Sequence, residues 1–400
     1  MTRRVVVTGL GFVSSVGLDA RSTWAAMLEG RHGLRRLSVL DLPGEPAQIA
    51  GEVNLPEDAY PGKRRTRSER MVLMALAEAL VQSGLDLGRL DPRRMGVFQG
   101  AATTGLPAAE NFILDRRAGR RGEPCNPVYQ CPPTLGDALA QVLGAEGPRA
   151  TVMNACSSSI ISLGQAWERV AAGELDLAVA GGGESLCRTT YAGFSSLKAM
   201  DPMPCRPFSA DRAGLNLGEG AAEFLLEPLE QAKARGAEIL AEVLGYGASL
   251  DSHHPTAPHP EGEGARRAMA MALRVASLPP EEVDLVSAHA TATPANDGAE
   301  ALAIRAALGE AALSISVTSS KSQFGHCLGA AGAIGAAVAV LALRHQVVSP
   351  TLRLETPDPI CPLDFTPKVA RERRIRAALV NAFAFGGNNA CLALRRWEGR

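Results

Sequence analysis

Short apolar runs alternate with longer stretches of helical period along nearly the whole chain, and this alternation limits the fold more than any other feature. The runs are roughly four to seven residues long and lack the polar alternation of a half-exposed sheet. Strands buried on both faces read this way. Strands are expected at residues 5–8, 95–98, 150–153, 177–180, 222–226, 239–246, 285–287, 315–318, 378–381 and 390–395. Helices are expected at 21–29, 67–83, 159–172, 231–236, 262–276, 295–308 and 329–344. Such a chain makes an α/β protein with helices packed on its sheet faces. In each half a strand runs into a reactive residue and then into a helix of small residues, around Cys156 and around His326. No residue-level repeat accompanies this likeness. The boundary between halves is expected within 229–240, dividing 1–235 from 236–400. The Gly- and Pro-rich stretch 251–264 reads as a loop soon after it.

The 400 residues suffice for one large or two ordinary domains with a substantial core. A hydrophobic content of 46% with 21% charged residues is that of a soluble globular protein. The net charge of −1 provides no overall field for nucleic acid. The eight cysteines lack paired metal spacing, and Cys125 and Cys131 have no partner pair. With no secretory leader, reduced thiols in the cytoplasm are expected. Residues 330–343 are the most apolar stretch, too short and Gly-rich to span a bilayer, and read as a buried helix.

Cys156 ends the apolar run Thr151-Val152-Met153-Asn154-Ala155 and precedes Ser157-Ser158-Ser159, where a helical pattern begins. Free N–H groups at a helix start favour negative charge, so a lowered thiol pKa and a thiolate nucleophile are expected. Taken alone, the stretch also fits a buried structural cysteine. Two histidines follow, His289 within residues 286–297 and His326 within 319–332. Both fall at element ends in small-residue surroundings, where side chains converge on a site.

Cys156 in Ala-Cys-Ser-Ser, His289 in His-x-Thr-x-Thr-Pro-x-x-Asp, and Lys321 leading through Gly325-His326 to Gly329-Ala330-Ala331-Gly332 resemble the elongating β-ketoacyl-acyl-carrier-protein synthases. The closing segment Asn381-Ala382-Phe383-Ala384-Phe385-Gly386-Gly387-Asn388-Asn389 is similar to that family's Phe-Gly-Gly loop. The opening stretch 3–11 and the segments 205–214 and 218–221 fit as well, so the resemblance runs from first strand to last loop. It implies the thiolase fold, with two similar halves in a five-layered α/β/α/β/α arrangement. It also implies decarboxylative Claisen condensation of an acyl thioester, held on Cys156, with malonyl-acyl-carrier protein, in fatty-acid, aryl-polyene or polyketide-type elongation.

The resemblance implies roles residue by residue. Cys156 is the nucleophile, and the N–H groups of Cys156 and Phe385 form the oxyanion hole. His289 and His326, as neutral imidazoles, donate Nε2–H to the enolate. Lys321 and Glu300 match a lysine–glutamate pair near the second histidine, although a glutamate on a helix is ordinarily just solvated. Thr291 and Thr293 reach the phosphopantetheine arm; local capping of the next helix is the plainer reading. Phe194 is a wall and Phe385 a gate. Small Ala101 and Ala102 leave the bottom of the acyl channel open. An acidic acyl-carrier protein is the partner, received by basic residues such as Lys63, Arg64, Arg67 and Arg206; Arg116, Arg117, Arg120 and Arg121 form a second basic cluster. No resident cofactor is expected, because the phosphopantetheine arm arrives on the carrier.

Some positions depart from the family pattern: Ala290 and Ala384 stand where glycine is usual, and Ser157-Ser158-Ser159 and Asn388-Asn389 differ too. The last pair and His253-His254-Pro255-Thr256 look like the branch that makes aryl polyenes. Pro255, Pro258 and Pro260 break any helical ligand spacing among His253, His254 and His259, so a loop near the active-site entrance is expected and no metal site. A degradative thiolase would carry a second catalytic cysteine within 381–389, where there is none. An initiating synthase would use Cys-His-Asn, whereas His326 supplies a second histidine. The remaining alternative is a non-catalytic chain-length partner, a class that lacks the cysteine kept here as Cys156. A homodimer, or a heterodimer with such a subunit, is expected, with no nucleic acid and no membrane span.

Overall fold

In the computed structural model, which describes residues 2–57, 59–60, 65–131, 134–360 and 362–399, ten strands form one sheet. In chain order the first five are β1 (Val5–Val13), β2 (Met95–Gly100), β3 (Arg149–Val152), β4 (Leu177–Glu184) and β5 (Gly220–Pro228). The second five are β6 (Ala241–Leu250), β7 (Val283–Ser287), β8 (Ser316–Thr318), β9 (Ala377–Ala384) and β10 (Asn388–Arg395). Their spatial order is β8-β7-β9-β10-β6-β1-β5-β4-β2-β3. Read outward from the middle, both halves place their first, fifth, fourth, second and third strands in the same sequence. The orientations repeat as well. First with fifth and fifth with fourth are antiparallel, while fourth with second and second with third are parallel. The likeness that no residue repeat betrays is therefore topological. Only three residue pairs, Val5–Val243, Val6–Glu242 and Val7–Ala241, join the halves along β1 and β6.

Six helices complete the layers: α1 (Arg67–Ser83), α2 (Thr134–Leu143), α3 (Ser158–Ala171), α4 (Glu263–Val275), α5 (Pro294–Leu308) and α6 (Ala331–His345). Helices α3 and α6 touch each other and strands of both halves, and share one core with the inner sheet faces. Helices α1 and α2 cover the outer face of the first half, and α4 and α5 that of the second. This is the five-layered arrangement. Every residue of α6 from Gly332 to Leu343 is buried, so it carries small and aliphatic side chains on all sides. The apolar stretch Leu328–His345 is long enough to cross a membrane but is 89% buried in this core.

Local chemistry explains the outer elements. A Thr66–Glu69 capping box starts α1, and Gly84 at φ 59° ends it. Helices Leu106–Arg117 and Arg188–Ser196 and α2 are absent from the sequence reading. Leu106–Arg117 buries only Ala109 and Glu110, so it has no apolar stripe to read.

Helix and strand backbones meet directly at Gly11, where an added Cβ would lie 1.7 Å from the Ala75 carbonyl oxygen. Gly11→Ala is expected to cost about 1–3 kcal/mol or more through overpacking. Gly193, within helix Arg188–Ser196, has nothing within 4 Å of an added Cβ. Gly193→Ala is therefore expected to stabilise by about 0.5–1 kcal/mol. Denaturant unfolding of the two variants measures both signs.

Candidate active site

Cys156 follows β3, the third strand of its half, and leads into α3. His326 follows β8, the third strand of the other half, and leads into α6. The two are topological counterparts, and the fold brings them face to face: His326 Nε2 lies 3.0 Å from Cys156 Sγ. His289, after β7, stands edge-on to His326, with ring centroids 5.3 Å apart and planes at 84°. Behind it His289 meets Phe383 at 5.7 Å.

The turn that carries Cys156 is held from its flanks. Ala155 takes φ 47°, a left-handed conformation that costs an alanine roughly 1–2 kcal/mol. Ser158 Oγ accepts from the Asn154 N–H at 2.8 Å and lies 2.6 Å from the Ala155 carbonyl oxygen. Burial pushes the Cys156 thiol up to about 12; the Lys321 charge pulls it back and Glu184 adds to the rise. Desolvation here outweighs the helix start, so the expected thiolate is replaced by a thiol in contact with His326. Burial also drives His289 and His326 well below the usual imidazole range, and the Lys321 charge adds to this in both. Both rings are neutral at pH 7.

Lys321 and Glu300 are both buried, so the solvated-glutamate reading fails. They do not pair directly. Glu300 accepts from the N–H groups of His289 (2.8 Å) and Ala290 (2.7 Å), and Asn381 Nδ2 donates to it at 3.1 Å. Lys321 Nζ donates to the His289 carbonyl oxygen, and Ser319 Oγ to that of Ala290 at 3.3 Å. Every backbone polar atom of His289-Ala290 is thus held, with Ala290 at φ 37°. The pair grips the first histidine, not the second.

Cys156, His289, His326, Thr291, Thr293 and Phe385 line one cavity of about 280 Å³. Thr291 and Thr293 share a 2.9 Å hydrogen bond, and Thr293 also caps α5 by accepting from Asn296 N–H at 3.4 Å. Phe385 stacks on Phe194 at 5.3 Å, in a turn where Gly386 and Gly387 take φ 81° and 76°. Ala384 is extended at φ −139°, so no glycine is needed there. Across the mouth lie Thr256, Ala257 and Pro258 of the histidine loop. In that loop His254 Nδ1 accepts from the N–H groups of Thr256 and Ala257, each at 3.1 Å.

Other expected site residues lie elsewhere. Ala102 is not on this cavity; its N–H donates to Glu184 at 2.7 Å, turning the chain away after β2. Arg67 is sequestered, its guanidinium donating to Glu219 and to the Val53 carbonyl oxygen. Arg206 is bridged to Asp201 and Asp211, each at 3.2 Å. Lys63 and Arg64 lie outside the described residues. The sequence reading missed Asn381, Glu184 and Lys198; the last is exposed and lines the cavity mouth. A polar residue inside or ending an apolar strand was the available signal for Asn381 and Glu184.

Residues 2–232 match the family model Beta-ketoacyl synthase, N-terminal domain, and residues 240–355 match Beta-ketoacyl synthase, C-terminal domain. The chain belongs to the β-ketoacyl synthase family, has the thiolase fold, and is an acyltransferase-class condensing enzyme. It is 39% identical over 420 residues to a putative polyketide beta-ketoacyl synthase 1 of Streptomyces halstedii, covering 100% of both. It is 36% identical over 410 residues to 3-oxoacyl-[acyl-carrier-protein] synthase 2 of Staphylococcus aureus, covering 99% of each. The solved ishigamide ketosynthase/chain length factor superposes with a TM-score of 0.94 at 35% identity, covering 99% of this chain and 100% of that one.

Unfolding returns both imidazoles to their ordinary value of 6.5. Below that pH the unfolded chain binds protons that the folded chain refuses. Stability is therefore lost as pH falls from about 7 toward the depressed folded values, by at most about 1.4 kcal/mol per pH unit for each histidine. Thermal melts between pH 5 and pH 8 are expected to show a shallower acid slope for His289→Asn than for the native protein. Equal slopes would show that this burial does not set the titration.

Proposed function

We propose that the enzyme joins an acyl group carried on Cys156 to a malonyl unit on an acyl-carrier protein, with loss of carbon dioxide, to give a β-ketoacyl-carrier thioester. The carrying observation is the 3.0 Å contact of Cys156 Sγ with His326 Nε2, with neutral His289 beside it on one cavity. Sγ attacks the acyl thioester, the carrier sulfur leaves, and the thiol proton ends on that sulfur. The tautomer with its proton on Nε2 serves both half-reactions. His326 first donates to the developing thiolate, then both rings donate to the enolate oxygen that forms as carbon dioxide departs. The enolate carbon attacks the Cys156 thioester, and Sγ leaves as a thiolate that takes one proton from solvent to restore the thiol. Backbone N–H groups of Cys156 and Phe385 stabilise the tetrahedral oxyanion. Glu300 and Lys321 act through the His289 backbone.

The chain divides functionally into residues 1–235, carrying Cys156, and 236–400, carrying both histidines. Thr291 and Thr293 line the path of the phosphopantetheine arm, so no resident cofactor is needed. Lys198 at the mouth replaces Arg67 and Arg206 as the charge that meets an acidic carrier. Among the described residues strand β3 pairs with β2 alone, and Met153 just beyond it is 48% exposed. That edge suits a dimer, either with itself or with a related chain-length subunit, the kind of partner named for the ishigamide ketosynthase. The setting is the cytoplasm, and the pathway is fatty-acid, aryl-polyene or polyketide elongation. The alternative of a non-catalytic chain-length subunit leaves the Cys156–His326 contact without a use.

Cys156→Ala is expected to abolish both the acyl adduct and condensation while cooperative unfolding persists; elongation at the native rate would overturn the assignment. His289→Ala and His326→Ala are each expected to keep the acyl adduct, seen by mass spectrometry and formed more slowly in His326→Ala, but to lose decarboxylation by roughly 100-fold, about 3 kcal/mol. Native carbon dioxide release in both would refute this division. Sedimentation is expected to show a dimer at micromolar concentration, alone or with the chain-length partner. A fully active monomer would refute it.

A further inference from the structure

Glu184 ends β4 with its side chain completely buried, at the joint between the two halves of the chain. Its two oxygens receive five donors. Four belong to the loop after β2: the N–H groups of Ala102 (2.7 Å), Thr103 (3.1 Å) and Thr104 (3.2 Å), and Thr103 Oγ1 (2.6 Å). The fifth is the Gly329 N–H at 3.1 Å, three residues beyond His326 in the other half. The same β2 loop backs the nucleophile, because the Ala101 carbonyl oxygen lies 3.1 Å from Ser158 Oγ. The two segments pack backbone to backbone: an added Cβ at Gly329 would stand 2.4 Å from Ala101 C and 2.5 Å from Ala102 N. Leu328 and Thr104, on either side, take φ 42° and 51°.

We infer that Glu184 is a positioning residue that holds the Cys156 turn and the His326 turn in register across the two halves. A carboxylate is the group such a joint requires. It offers only acceptor sites, and all five neighbours are donors. A protonated acid or an amide would turn a hydrogen toward one of those N–H groups and leave a buried donor unmet. Burial raises the carboxyl above its ordinary value, and the donors from Thr103, Ala102 and Gly329 offset only part of that rise. The five donors select the anion, and its charge acts on the Cys156 thiol in the direction that opposes ionisation. The inference builds on the role proposed for Cys156 but uses none of the reaction's own groups.

The test compares Glu184→Gln, Gly329→Ala and Thr103→Val in the full-length protein. Two readouts are taken on each: the rate of acyl transfer to Cys156 from an acyl-carrier thioester, and the pH profile of Cys156 alkylation by iodoacetamide. Glu184→Gln is expected to lower the acylation rate at saturating carrier by at least ~10-fold with little change in KM, since a misplacement of about 1 Å costs on that order or more. Its alkylation profile is expected to move to lower pH, because a negative charge has left the thiol's surroundings. Gly329→Ala spreads the same joint with the charge intact, so it is expected to slow acylation without moving the profile. A purely structural defect would not separate the two variants in this way. Native-rate acylation by a cooperatively folded Glu184→Gln protein, or an unmoved alkylation profile, overturns the inference. If Glu184→Gln does not fold, Thr103→Val decides: a fall of roughly 3-fold at unchanged KM supports the joint, and the native rate overturns it. The alkylation profile needs no acyl donor. Failure of the native protein to form an acyl adduct would count against the proposed function and leave the test of Glu184 standing.

Discussion

The structure depends on two helices of small residues pressed between two half-sheets. Helices α3 and α6 touch each other and strands from both halves, so their backbones must come close. An added Cβ at Gly332 would lie 2.6 Å from Ile160 Cγ1, which shows how little room is left. Interiors packed this tightly have few alternative arrangements. Because each helix begins just after a reactive residue, packing α3 against α6 also fixes Cys156 against His326. The Cys156–His326 contact is a consequence of core packing, and the topological repeat explains why the two residues are counterparts. Burial of the contact then sets its chemistry: it disfavours charge on both imidazoles and on the thiol.

Close-packed turns need their backbone polar groups satisfied, and in this site buried carboxylates do much of that work. Glu300 holds the N–H groups of His289 and Ala290. Asp297 accepts from the N–H groups of Phe208 (2.8 Å) and Ala292 (3.0 Å). Glu184 gathers the loop after β2 and the turn after His326. Ala290, Ala292, Phe208, Leu328 and Thr104 all have positive φ without being glycine, and each is tied by its own N–H, or through a neighbour's, to one of these carboxylates. Strained conformations of this kind persist where surrounding contacts over-determine them. The anchors act on main chain, so the side chains they serve are left free to face the cavity.

Much of this was legible in the sequence. The expected strands coincide with the ten of the main sheet, with ends shifted by a few residues, because buried strands leave apolar runs; the short strands of the two small sheets were not expected. Cys156, His289, His326 and the Phe385 turn stand out because reactive residues amid glycine, alanine and serine are conspicuous. The surface helix Leu106–Arg117 was not legible, since a helix with no buried stripe leaves no period. Ala102 was expected on the cavity and Arg67 among the residues that receive a carrier protein. Both errors concern residues whose direction is set by a distant carboxylate, Glu184 for one and Glu219 for the other.

By itself the sequence determined the order of elements, the family, which residues would be brought together at the site and the small-residue character of the core helices. These follow from composition and spacing within one segment at a time. The tertiary structure alone decided that the thiol is protonated, that Glu300 and Lys321 grip the first histidine, that Arg67 and Arg206 are engaged internally, and that Glu184 joins the halves. Each of those depends on desolvation or on how side chains meet in three dimensions, with partners from five to more than a hundred residues away, and burial and such pairing exist only once the chain has folded.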